Sequence, residues 1–202
     1  QEDAVDIVDL GTPLGLAFAS GLNAYLPLLA FALSARWLHL HTLNQQFIFI
    51  TQNWCIAALA ILAIVDFVAD KIPLIDHAWN AIHTVVRPIA GAFVAVAASG
   101  HAPPAAAFDA SSLIPVTEVG LLALLIVGTA LAILSHRTKS TVRFASTITS
   151  AGLFNSVVSL IEDALVLIII LLSLFASAIM LLLLVILVLV LIPRLLRTRH
   201  IW

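Results

Sequence analysis

Charge is what this chain has least of. Asp, Glu, Lys and Arg make up 10% of its 202 residues, against 62% hydrophobic residues. With a mean hydropathy of +1.16, that is too little charge to coat a water-soluble domain, and the composition reads as an integral membrane protein. A basic surplus is missing too. The formal net charge is −2 and the cations fall in short runs, which excludes a nucleic-acid-binding face. The single cysteine, Cys55, excludes an intrachain disulfide and a cysteine metal site. The opening QEDAVDIVDL lacks the positive n-region of a secretory signal, so insertion is expected to rely on the first apolar segment. There is no glycine-rich phosphate loop, no nucleophile beside a base at recognisable spacing and no zinc signature. The sequence therefore points away from an enzyme, and no cofactor is expected.

What is there is hydrocarbon. A spanning helix needs about 20 apolar residues, and on that scale the chain divides into segments at residues 14–35, 54–69, 76–99, 118–134, 153–173 and 177–193. The predicted fold is all-α: one membrane domain over residues 1–202, a bundle of about six spans kinked at Pro27 and Pro88, where proline removes a backbone bond. Asn23, one turn before Pro27, is expected to hydrogen-bond the freed carbonyl. The connection WLHLHTLNQQFIFITQN from Trp37 has the aromatics and amides of an interfacial segment, and His39 and His41 read as part of it rather than as metal ligands. Residues 153–193 read as two helices with a tight hairpin near SLFAS. Counting cations beside spans sets the expected topology. The runs holding Arg137, Lys139 and Arg143, and Arg194, Arg197 and Arg199, are predicted to face the cytoplasm. Both termini are then cytoplasmic, the 100–115 loop lies outside, Arg36 is the one misplaced cation, and the location is the cell inner (plasma) membrane.

One stretch breaks the apolar pattern, DFVADKIPLIDHAWNAIHTVVRP from Asp66 to Pro88. Asp66 and Asp70 are four apart and would stack on one helix face, where like charges favour a shared proton or a bound cation. Lys71 follows. Asp76, Asn80, His83 and Arg87 are spaced 4, 3 and 4 and line one face of the next helix. A second acidic point, Glu162 and Asp163, lies in another apolar segment. The two point about 100° apart on a helix, and Asp163 is the one favoured to join the pocket. Near the membrane, the acids Asp66, Asp70, Asp76, Glu162 and Asp163 outnumber the fixed cations Lys71 and Arg87. That surplus reads as the chemistry of a proton or cation pathway. His77 and His83 are the candidates for a metal, although His-x5-His lacks i, i+4 geometry. Gly91, Ala95 and Ala98 form a small-residue face that lets another helix approach closely.

GLNAYLPLL from Gly21, DFVADKIPLIDHAWNAIHTVVRPIAGA from Asp66 and SVVSLIEDALVL from Ser156 resemble, in the same order, the bacterial and plastid multi-spanning family catalogued as domain of unknown function 4126. The resemblance implies a fold and a set of matching positions, and no activity. It departs at two places, since that family often has Glu where this chain has Asp66 and a basic residue where it has Asn23. The run from Asp66 to Lys71 also distantly resembles the Glu-x-Gly-Asp-Lys motif of membrane cation exchangers, with the acids one residue further apart and the glycine absent.

The expected function is a small channel or carrier for protons or cations, built on the carboxylate, histidine and arginine cluster and working as a homo-oligomer in the lipid bilayer. The alternative from a different class is a non-catalytic scaffold or accessory membrane subunit, packed against other membrane subunits, whose cluster is a structural salt-bridge network.

Overall fold

The computed structural model describes residues 10–41, 43, 45–100, 116–150 and 155–198, with side chains at all of these except 45, 73–78, 116–118, 147–150, 155–156 and 191–198. Every regular element among them is helical, as the composition predicts: α1 (Gly11–Ser20), α2 (Leu26–Leu33), α3 (Asn53–Ala69), α4 (Pro73–Ala98), α5 (Val116–Ser150), α6 (Asn155–Phe175) and α7 (Ser177–Thr198). A π-turn prolongs α2 through Ser34–Leu38, and a 3-10 turn covers Gln45–Thr51. Trp79–Ala98, Val119–Ser146 and Val157–Phe175 are each long and apolar enough to cross a bilayer, and Leu26–Leu38, Asn53–Ala69 and Ser177–Val190 are shorter apolar helices. The protein is a membrane protein built as a helical bundle.

The first apolar segment departs from the expected single kinked span. α1 runs against α6: Thr12 Oγ1 donates to the Ser173 carbonyl at 2.6 Å, whereas Asn23 shares a cavity with Asp163 and Leu167. α2 then returns along α3, because Asn23 and Leu26 line that same cavity with Phe67, while Arg36 Nη1 donates to Thr51 O at 2.9 Å and to Asn53 Oδ1 where α3 begins. Residues 11–38 are therefore a helical hairpin with its tip at 21–25. At 1.5 Å per residue α1 is roughly 15 Å long, about half a hydrocarbon core of ~30 Å. Pro27 sits at the start of α2, where its missing N–H costs no helix bond. Pro88 lies inside α4, which runs on through it to Ala98.

Close packing holds the hairpin. α1 touches α4, α5, α6 and α7, and Gly11, Thr12, Pro13, Gly15, Leu16, Ala17, Ala19 and Ser20 are all buried. Two glycines set the approach. A Cβ on Gly21 would collide with Ser135 Oγ and the Ala132 carbonyl, and one on Gly91 would meet Ala132 Cβ at 2.5 Å. The small-residue face at Gly91 and Ala95 is thus used inside the subunit, against Ala17, Gly128 and Ala132. α7 doubles back at Ala176 and follows α1, placing Ser177 by Gly11 and Met180 by Gly15. α1 and α7 therefore run in the same direction along the bundle. The 101–115 part of the loop, together with Arg199, lies outside the described residues.

Candidate functional site

The hairpin tip solves a backbone problem. A helix that ends inside protein leaves carbonyls, and the next leaves N–H groups, that must find partners. α5 supplies the donors: Ser135 Oγ bonds Phe18 O at 2.7 Å and Lys139 Nζ bonds Leu22 O at 3.0 Å. Asn23 supplies the acceptor, its Oδ1 taking the N–H groups of Tyr25 at 3.1 Å and Leu26 at 2.8 Å. It closes the turn that leads into α2, two residues before the N-cap Tyr25, rather than bonding a carbonyl freed by proline.

Around this tip α3, α4, α5 and α6 deliver charged side chains. Lys139 Nζ also bonds Asp70 Oδ2 and lies 3.6 Å from Glu162 Oε2. Arg143 Nη2 reaches Asp70 Oδ2 at 3.1 Å and Glu162 Oε2 at 2.8 Å. The two cations clasp the end of α3 to α6 through α5. Asp70 lies in the connection between α3 and α4; burial alone would raise its carboxyl, but Lys139, Arg143 and Arg87 hold it below the ordinary value of 3.8. Asp163 is elsewhere. Lys71 pairs with it at 2.8 Å and also reaches Ser159 Oγ at 3.2 Å, in a half-exposed position over the Phe67 ring.

The second half of the cluster is less tightly bonded. Asp66, His83 and Arg87 are all at 0% exposure. Asp66 Oδ1 accepts from Trp79 Nε1 at 2.7 Å and lies 3.5 Å from His83 Nε2 and 3.7 Å from Arg87 Nη2. Arg87 Nη2 is 4.0 Å from Asp70 Oδ1, while Nη1 meets His136 Nδ1 at 2.9 Å and Asn80 Oδ1 at 3.5 Å. Asp66 Oδ2, Asp70 Oδ1, Glu162 Oε1, His83 Nε2 and Arg87 Nε and Nη2 are buried and make no hydrogen bond among the described residues. Such atoms are rare in folded proteins and each calls for an explanation.

Two imidazoles can be assigned from their partners. Arg87 only donates, so His136 Nδ1 must be a lone pair and its proton sits on Nε2, toward Thr84 Oγ1 at 3.4 Å. His83 is the reverse. Its Nδ1 is 2.9 Å from the Trp79 carbonyl, which only accepts, so Nδ1 carries a proton and Nε2 of the neutral ring presents a lone pair to Asp66. The Tyr25 and Trp79 rings, centred 5.7 and 4.8 Å away, flank it.

The sequence singled out Asp66, Asp70, Asn80, His83, Arg87 and Glu162, and the structure gathers these six. Lys71 and Asp163 form a separate pair, so Glu162 and not Asp163 is the acid in the pocket. Asp76 and His77 lie among the side chains outside the description, and no group of three or more His, Cys, Asp or Glu suited to a metal occurs among the described residues. The acid surplus also needs correction. Lys139 and Arg143, read as topology markers, turn inward at 3% and 7% exposure and balance Asp70 and Glu162 while Arg87 faces Asp66. His136, Lys139 and Arg143 are spaced 3 and 4, the same one-face signature that marked α4.

Comparison with curated proteins and with solved structures found no match. A family model covers nearly all of this architecture, from the start of the hairpin to the end of α7: matched over residues 10–197, the chain belongs to the family described as Domain of unknown function (DUF4126).

Proposed function

We propose that this protein is a proton-translocating channel or carrier, with the proton held between His83 and Asp66. The observation that carries this reading is a pair of acceptor atoms, His83 Nε2 and Asp66 Oδ1, facing each other at 3.5 Å in a fully buried pocket. With a neutral ring the two lone pairs repel. One added proton turns that repulsion into a charge-assisted contact, and the proton belongs to the pair rather than to either residue. The surroundings fit such a role. Irregular backbone at membrane depth is tolerated where it is buried in protein or lines a cavity, and interrupted helices beside ionisable groups are a recurring feature of carriers. Lys139 and Arg143 fill the places a metal cation would take beside Asp70 and Glu162, which favours the proton over a metal ion as the carried species.

We orient the cluster end toward the cytoplasm of a plasma (inner) membrane, since Lys71, paired with Asp163, and the exposed Arg137 lie toward that end. The test uses purified protein in liposomes with a pH-sensitive dye inside and a potassium diffusion potential as the driving force. Wild-type protein is expected to acidify or alkalinise the lumen according to the sign of the potential, and His83→Gln and Asp66→Asn to abolish the response while eluting as folded protein. Absence of wild-type flux, or full flux in both variants, overturns the reading. A second reading has its own support. Asp70, Glu162, Lys139 and Arg143 are directly bonded and balanced, as a structural clasp in a scaffold subunit would be. Silent liposomes combined with clasp variants that melt early would select it.

A further inference from the structure

A groove of ≈ 460 Å³ runs between α2, α3 and α6, within the roughly 300–1,000 Å³ range of ligand sites. Its walls are apolar, from Leu26, Leu29, Ala60 and Ala63, and its polar lining comes from Asn23 and Asp163. Ile64, Phe67 and Leu167 line it while remaining 64%, 42% and 51% exposed. They belong to apolar helices, so the groove opens sideways toward hydrocarbon. Its charge is confined to the end near the cluster. There Asp163 is bonded to Lys71, both partly exposed, with side-chain exposures of 21% and 28%.

We propose that this groove binds one glycerophospholipid with a zwitterionic phosphoethanolamine headgroup, an assignment independent of the proton reading. An acyl chain lies along Leu29, Ala60 and Leu167. The headgroup meets a cation and an anion side by side, the complement of its own phosphate and ammonium: Lys71 takes the phosphate and Asp163 the ammonium. An anionic headgroup would gain Lys71 but face Asp163 without compensation. The chain reaches Asn23, so the lipid is seated against the residue that holds the hairpin tip.

The test labels purified full-length protein in detergent micelles with phosphoethanolamine and phosphoglycerol lipids that carry the same photoreactive acyl chain, and reads adducts by mass spectrometry. The phosphoethanolamine lipid is expected to label saturably on α2, α3 and α6, with a preference of about tenfold, equivalent to ~1.4 kcal/mol. Leu167→Trp, at an exposed lip, should block that labelling, and Ala60→Phe should do so from the wall. Lys71→Ala combined with Asp163→Ala should remove the headgroup preference while leaving labelling of the groove. Labels spread evenly over the exposed apolar faces, or unchanged in Leu167→Trp and Ala60→Phe, overturn the site. A preference for the phosphoglycerol lipid overturns the headgroup assignment. No flux enters this readout, so its failure is distinct from failure of the proton reading.

Discussion

At the scale of single residues, the site is a set of hydrogen-bonding constraints that fix proton positions. Nitrogen-15 spectra of labelled protein are expected to show His136 neutral with its proton on Nε2, and His83 passing between a ring protonated on Nδ1 alone and one protonated on both nitrogens. A His83 signal with its only proton on Nε2 would contradict the bond to the Trp79 carbonyl. The clasp can be weighed by charge. Lys139→Met leaves Asp70 and Glu162 to share Arg143, and since breaking one side of a buried pair costs up to about 3–5 kcal/mol, the loss should lie below that range. Unfolding in detergent should show that loss, and Asp70→Asn added to Lys139→Met should recover part of it; additive losses would mean the pair is not coupled. The acid branch has a definite sign. The Asp70 carboxyl is held below its ordinary 3.8, so its stabilisation is complete above that value and is lost only as pH falls through the lower folded value. Stability of the wild type should thus fall more steeply than that of Asp70→Asn under strong acid. The acids and α4 cations of this site were legible as interruptions in hydrocarbon. Lys139 and Arg143 were not, since a cation near a helix end carries the same letter whether it faces water or a carboxylate.

At the scale of elements, the hairpin is the feature that sequence periodicity could not give. Residues 14–35 are long and apolar enough for one span, and nothing in composition distinguishes a bend at Pro27 from a reversal before it. The distinguishing signal was the turn residue: an Asn three residues before Leu26 and four before a proline reads as a boundary rather than a kink. Asn23→Ala removes the acceptor for two backbone N–H groups and should cost about 0.5–2 kcal/mol, seen as a lower melting temperature in detergent, with Asn23→Asp retaining most of it. An unchanged melting temperature in Asn23→Ala would show that this turn closure is dispensable. Gly21 should tolerate no side chain, because α5 backbone occupies the place a Cβ would take. In α4, by contrast, the stripe from Asn80 through His83 to Arg87 and the small residues Gly91 and Ala95 were legible, since both map onto contacts that the structure makes; Asp76 lies outside the described side chains.

At the scale of the whole molecule, the bundle gathers its buried charges, Asp66, Asp70, Arg87, Lys139, Arg143 and Glu162, in one cluster and turns apolar faces outward. Exposed Ile61, Ile64 and Phe67 on α3, and Ile168 and Leu171 on α6, are what hydrocarbon solvent dictates. That class of fold was legible from composition. Its connectivity was not, because parity depends on whether the first segment crosses. Single cysteines introduced at Leu10 and Leu38 in a Cys55→Ala background decide this, and both are expected to react with an impermeant thiol reagent from the same side of sealed vesicles. Reaction from opposite sides would restore a single crossing. The arrangement also fixes an order of events during synthesis. The hairpin leaves the ribosome before α4, α5, α6 and α7, yet its first helix, α1, is the piece those four pack around. Part of its small and hydroxyl-bearing face, at Gly11, Thr12 and Gly15, has no partners until α6 and α7 are made, so a chain interrupted after α5 holds its innermost part without two of its walls. Completion of the packing around α1 waits on α6 and α7.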